Sequence, residues 1–408
     1  MPHCGVHSEQ IDSSLVRKSL SRKPGHDRIL VVISALLFYC GCYFAKSTLP
    51  LHIKGLNGSD AVVGRTIAVM SGAALATRWI AGALQDKYGS KPFMVGCSLC
   101  LACATLSYRF ISSIPLLTVS AFFQGIALGG FATTAVAQIV GGIQSEIERT
   151  SALSLFSMSH LTAGAIAPWL ALTMATHMET STILGWATVG GLAAVLPALR
   201  VSSLPPKTEK HANTASSRPN VFRDKVFVGA SLCYLVWAIS YGAIYSFLPL
   251  FGQERGIINV GVFFTSFAMI NLIGRVFVRH LVLRMGAARL INISSFLVII
   301  SMCLLSISRS PFHLAVAGVI YGLGSTGIYP CLAGIATGRG SGNTGMIVAL
   351  FMSNFELGQM FGSIALGSII SRRGYPAIYR ISAIAMFVGL LIFNRMAKPV
   401  VAANRETV

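Results

Sequence analysis

Glu356 is the one carboxylate deep inside an apolar stretch of this chain, with Asn354 and Gln359 beside it. A charge at the centre of a hydrocarbon layer costs at least a few kcal/mol unless it is paired or hydrated. A carboxyl in such a place can carry an exchangeable proton or hold an amine of a bound molecule. It can equally be a structural partner for a buried arginine or make a polar capping contact. Three cations lie in apolar stretches opposite it: Lys46, Arg78 and Arg275. Tyr39, Tyr43 and Lys46 recur at helical spacing, which sets two hydroxyls and an ammonium on one face and suits that face to a cavity. Arg78 and Arg275 either serve that cavity or hold helices together by bonding carbonyls and sealing one end. His160 is a lone histidine in an apolar run, with a structural hydrogen-bonded role or a titrating one open to it.

The elements that must place these residues are long and apolar. Hydrophobic residues make up 54% of the 408 and charged residues 11%, with a mean hydropathy of +0.69. Little polar surface remains for the outside of a water-soluble globule. A hydrocarbon core of about 30 Å needs roughly 20 apolar residues per helix. Twelve stretches meet that length: 29–49, 61–84, 92–111, 114–138, 150–175, 181–200, 225–251, 257–281, 288–308, 311–337, 344–370 and 376–396. The expected fold is therefore an all-α integral membrane protein with twelve transmembrane helices.

The net charge of +19 would suggest nucleic acid in a soluble protein, but here it is a topology signal. Alternate connections, counted from the N-terminal tail, collect 21 Lys and Arg on one side, while the other holds eight. The positive-inside rule then places both termini in the cytoplasm, as an even number of spans requires. Residues 1–28 read as a basic cytoplasmic tail and not a cleaved leader, and 398–408 as a second tail. Residues 201–224, with Pro205 and Pro206 among Lys, Thr, Asn and Ser, read as a cytoplasmic linker. They separate a six-helix unit at 29–200 from another at 225–397.

The two units repeat. Residues 43–51 align with 242–250, and both segments end in Leu-Pro-Leu. At an offset of 197 residues Arg78 falls on Arg275, Lys87 on Arg284 and Gly89 on Gly286. Such a duplication implies two pseudo-symmetric six-helix bundles around a cavity near the membrane midplane, a geometry that permits alternating access. Tyr241 and Tyr245 then offer further hydroxyls to the face that bears Lys46.

Between the second and third spans runs Gly82-x-x-x-Asp86-Lys87-x-Gly89-x-Lys91. With Tyr241-Gly242, the Phe247-to-Leu250 run, Gly322-x-Gly324-x-x-Gly327-x-x-Pro330 and Glu356-Leu357-Gly358, it resembles the major facilitator superfamily over the whole chain. Within that superfamily it is similar to the drug- and metabolite-efflux-like branch that includes siderophore and metallophore exporters. The resemblance implies a secondary transporter, with the 82–91 loop as a conformational latch made of Gly82, Asp86, Lys87, Gly89 and Lys91. Read alone, the loop could also be a solvated basic turn serving topology. Two positions depart from the branch: Ala121, before Gln124-Gly125, stands where efflux members often carry an arginine linked to proton coupling, and a fifth-helix Gly-Pro pair reads Ala167-Pro168. The expected cavity set is Tyr39, Tyr43, Lys46, Gln124, Tyr241, Tyr245 and Asn354, with Glu356 and His160 for coupling.

The expected activity is proton-coupled efflux of a metabolite, drug or metallophore, with import or uniport of an organic anion as the alternative. The setting is a bacterial inner membrane, and the partners are a small-molecule substrate, protons and lipid, with no nucleic acid and a monomeric state. Cys97, Cys100 and Cys103 imitate a metal spacing, but steps of three drift around an apolar helix with no His or acid nearby, so packing is the reading. No Gly-Lys-Ser/Thr phosphate loop is present. No metal, no cofactor and no enzymatic reaction are expected.

Overall fold

Apolar runs of this length can satisfy their backbone inside a bilayer only as helices, and helices are what form. The computed structural model describes residues 24–141, 143, 146–202, 224–337 and 344–397. Most of the tails expected at 1–28 and 398–408, and of the linker at 201–224, lies outside these residues. Among the described residues twelve helices run α1 Pro24–Gly55, α2 Asp60–Tyr88, α3 Ser90–Phe110, α4 Ile114–Val140, α5 Glu146–Met174, α6 Thr180–Arg200, α7 Lys225–Glu254, α8 Gly261–Met285, α9 Ala287–Ile307, α10 Pro311–Thr337, α11 Thr344–Arg373 and α12 Tyr375–Met396.

Their ends follow local chemistry. α1 begins at Pro24, five residues before the apolar run expected from residue 29: proline suits the first helical position, and Asp27 complements the dipole of the first turn. Ser59 caps α2 by accepting from the Val62 amide, and Asp224 caps α7 by accepting from the Val226 amide at 2.8 Å. Gly89 closes α2 and opens α3 with φ +82°, and Gly286 does the same between α8 and α9 with φ +83°. A side chain is strained at such an angle, so both turns require glycine. The two turns share one geometry at one offset, which is the duplication written in dihedral angles.

Packing repeats in the same way. α1 lies on α5 and α6, α2 on α4, and α3 on α4 and α6; correspondingly α7 lies on α11 and α12, α8 on α10, and α9 on α10 and α12. The repeat reaches single atoms. A Cβ at Gly125 of α4 would strike the carbonyl of Met70 on α2, and one at Gly322 of α10 would strike that of Phe267 on α8. Two pseudo-symmetric bundles result, with apolar side chains such as Trp186, Val276, Phe296 and Ile384 exposed on their outer faces, as lipid contact requires.

Ten of the helices are long and apolar enough, by length and composition, to cross a membrane. The other two are α2 and α11, which carry Arg78 and Glu356. These two helices pack against each other across the bundle interface, as α5 packs against α8. Both contacts are close on the side of the 55–59 and 255–260 connections. There a Cβ at Gly64 would meet the Ser363 carbonyl, one at Gly261 would meet Trp169, and Thr265 bonds the Ala165 carbonyl at 3.3 Å. Tyr375 donates to Asp60 at 2.6 Å, and Lys54 pairs with Asp60 at 3.2 Å. Toward the other end of α2, Gly82 has open space where Gly64 has Ser363. The molecule is thus closed on one side.

A test of that closure uses Cys42, which is buried between the bundles. With the other cysteines removed, Gly64→Val should raise its labelling by an impermeant maleimide from the side of residues 55–59 by roughly tenfold, since overpacking costs about 1–3 kcal/mol. An unchanged rate would mean that the α2–α11 contact does not hold that side shut.

Candidate functional site

A cavity of about 60 Å³ lies between the bundles, lined among others by Tyr39, Tyr43, Lys46, Arg78, His160, Tyr241, Glu356 and Gln359. α1 delivers its share by helical spacing, because Tyr39, Cys42, Tyr43 and Lys46 fall at i, i+3, i+4 and i+7. α11 delivers Phe355, Glu356 and Gln359 by the same rule. The sequence separates these two groups widely, and only the duplicated fold joins them.

The charges pair unequally. Arg78 Nη2 lies 2.6 Å from Glu356 Oε1, a short charge-assisted contact between one bundle and the other. The Glu356 residue is 4% exposed and its Oε2 has no hydrogen-bond partner among the described residues; Arg78 Nε is likewise buried without one. Lys46 is 5% exposed and has no carboxylate within 4 Å among the described residues. Its ammonium donates instead to Gln359 Oε1 at 2.6 Å, a second bond from bundle to bundle, and sits 5.2 and 5.8 Å from the ring centres of Tyr245 and Tyr241. Ring faces and an amide soften the cost of burying an ammonium but cannot neutralise it. The site therefore holds two cations and one acid.

A network of tyrosine hydroxyls and one imidazole flanks the charges. The Tyr43 hydroxyl is 2.6 Å from His160 Nε2 and 3.3 Å from the Tyr241 hydroxyl, so α5, α1 and α7 meet at one oxygen. Tyr39 presents its edge to the His160 ring at 4.7 Å, and Tyr241 stacks on Tyr245 at 4.5 Å. Tyr245 also faces Tyr43 at 5.5 Å, so it backs the wall without lining the cavity.

Other residues expected here lie elsewhere. Gln124 is fully buried inside the first bundle, where it accepts from Tyr108 at 2.7 Å and donates to the Cys42 carbonyl at 3.3 Å, tying α4 to α3 and α1. Asn354 turns back on its own helix and donates to the Leu350 and Phe351 carbonyls, an easier path for a short amide than reaching the cavity. Arg275 bonds Asn271 of its own helix at 3.4 Å and does not line the cavity, whereas its counterpart Arg78 does. The asymmetry has a cause: the residue that parallels Glu356 in α5 is His160, which offers no negative charge. Of the 82–91 loop, Gly89 makes the positive-φ turn, Lys87 is exposed with its ammonium 5.2 Å from the Tyr88 ring, and Lys91 is half-buried. Gly82, expected at a close helix approach, has nothing within 4 Å among the described residues, which do not include the Asp86 side chain.

Gln359 stood in the sequence beside Glu356 without a role. Its signal was the three-residue step, which sets both on one face of α11. Asp60 and Tyr375 give no sequence signal, because their bond joins two helix starts far apart in the chain.

Comparison with known proteins places this geometry. The model of the Major Facilitator Superfamily matches residues 31–300 and 258–407. The chain is 22% identical over 387 residues to the staphylopine export protein of Staphylococcus aureus, covering 90% of this chain and 95% of that one. It is 24% identical over 361 residues to a multi-drug resistance efflux pump of Streptococcus pneumoniae, covering 85% and 89%. Among solved structures, a peptide transporter superposes with a TM-score of 0.79 at 11% identity, over 96% of this chain and 99% of its own. At that identity the likeness concerns the fold.

Removing one partner of a buried pair strands the other charge, at a cost of about 3–5 kcal/mol. Arg78→Met should therefore lower the melting temperature in detergent, and Glu356→Gln added to it should restore most of the loss. Equal, additive losses in the two single variants and the double variant would mean that the pair carries no coupling energy.

Proposed function

This chain belongs to the Major Facilitator Superfamily, and on that premise we propose that it is a secondary transporter that exports a small organic molecule in exchange for protons. The observation that carries the reading is the Arg78–Glu356 pair beside the cavity, with one charge on each bundle and one carboxylate oxygen without a partner among the described residues. A proton on Oε2 neutralises Glu356 and weakens its hold on Arg78, so the tie between α2 and α11 depends on protonation. Loss of the proton restores the tie. That dependence couples a proton equilibrium to the movement of the bundles, the requirement for exchange. The names of the two relatives lean the same way, since both are export proteins.

In this reading both termini and the 82–91 loop lie in the cytoplasm of a bacterial inner membrane, where the excess of Lys and Arg belongs. The close contact around Gly64 and Asp60 is then the outer side, and the state is the inward-facing one. The 82–91 loop acts as the latch of the opposite state, which fits the open space beside Gly82. His160 sets the direction of the Tyr43 hydroxyl. One chain contains the whole cavity, so the monomer is the working unit.

A second reading is favoured by one observation, the excess of cavity cations: inward or uncoupled movement of an organic anion. Proteoliposomes separate the two. With a pH gradient imposed and labelled small organic acids, amines and zwitterions offered, the parent should accumulate its substrate against concentration, and Glu356→Gln should lose that accumulation yet keep exchange of labelled for unlabelled substrate. Equilibration of labelled acid by the parent without accumulation would favour uncoupled anion movement, and accumulation by Glu356→Gln equal to the parent's would mean that coupling does not pass through Glu356.

A further inference from the structure

A proton exchanger must bind its proton and its cargo in alternation. By linkage, two ligands that exclude each other at a site lower one another's affinity by the same factor, and two that attract raise it. A plain organic anion at Lys46 attracts a proton to Glu356, because each brings charge of opposite sign into one low-dielectric cavity. Such a pair would travel together and not in exchange. Exchange demands a cargo that contests the proton's own place, the free Oε2 of Glu356, and this requires a cationic donor.

Lys46 makes the opposite demand. Its ammonium is buried, lacks an acid within 4 Å among the described residues, and leans on one amide oxygen and two ring faces. An arriving carboxylate makes a stronger bond than the Gln359 oxygen does. Gln359 and Glu356 lie one helical turn apart on the same face of α11, so the two demands are met within a few ångströms of each other.

We infer that the cargo is a zwitterion, a small amino-acid-derived molecule whose carboxylate pairs with Lys46 and whose ammonium takes Glu356 Oε2 in place of the proton. The inference rests on the proton-exchange reading above. The step balances in protons: the one on Oε2 leaves to water on the side where the cargo binds, the cargo's ammonium keeps its own, and the carboxylate left when the cargo departs takes up a proton from the other side. The groups that face Glu356 are Arg78 from α2, Lys46 and Tyr39 from α1, and Tyr234 from α7, with Tyr329 of α10 beside Arg78. Tyr39, Tyr43, Tyr241 and Phe355 supply an aromatic wall for the body of the molecule.

The test is a matched set on each of several aromatic amino-acid scaffolds: the zwitterion, its methyl ester and its N-acetyl acid. Binding to the purified protein is read by equilibrium titration and thermal stabilisation between about pH 6 and pH 8, with the ester's affinity corrected at each pH for the neutral fraction of its α-amine, which titrates at about 7.7–8.0 or below. The zwitterion should bind about tenfold tighter than either analogue, and each analogue leaves one buried group unpaired. Its affinity should fall as the pH is lowered. Lys46→Gln should erase the preference for acid over ester, and Glu356→Gln should erase both the preference for zwitterion over N-acetyl acid and the pH dependence. The parent's pH dependence needs no variant, so a variant that fails to fold leaves the test intact. An N-acetyl acid that binds tightest, and tighter at low pH, overturns the zwitterion and the exchange reading together. An ester that binds tightest and weakens at low pH, with Lys46→Gln unchanged, overturns the carboxylate arm alone and leaves exchange standing.

Discussion

A charge in hydrocarbon must find its opposite, and in this molecule the acid buried deep in an apolar helix finds it on the other bundle. Arg78 and Glu356 stand 2.6 Å apart, one on α2 and one on α11. Much else follows from the need to bring them together. α2 and α11 are the two helices that fall short of the apolarity of a membrane span, and each places its polar stretch against the other. Small residues along that seam, Gly64 against Ser363 and Gly367, let the backbones approach closely enough for the pair to form. The bond from Lys46 to Gln359 adds a second tie between the bundles in the same layer.

Most of the architecture was legible in the sequence, since the features that set it are periodic. Lipid imposes one length on every span, and the offset near 197 residues repeats a glycine turn whose geometry recurs within a degree in φ. What sequence blurred was helix length. α1 extends from Pro24 to Gly55, past both edges of its apolar run, because membrane hydropathy marks where lipid begins and not where hydrogen bonding ends.

The site was legible where one helix face decides the matter. Tyr39, Tyr43 and Lys46 share a face of α1, and spacing alone gathers them. It was illegible where a choice between partners decides. Gln124 and Asn354 have the polarity for a cavity, yet one is consumed by Tyr108 and the Cys42 carbonyl and the other by its own helix. Arg275 repeats Arg78 in sequence but not in surroundings, because its α5 neighbour position holds His160 where α11 holds Glu356. Duplication preserves backbone geometry far better than it preserves pairing, and function resides in the pairing.

The cross-bundle pair also bears on how the chain is made. Arg78 enters the membrane early in synthesis, and Glu356 follows about 280 residues later, a delay of roughly 15–60 s at ordinary translation rates. Through that interval α2 holds an arginine with no acid to meet it, in a helix of marginal apolarity. The first bundle is therefore a provisional structure in the nascent protein, and α2 settles into its final depth only when the penultimate helix arrives.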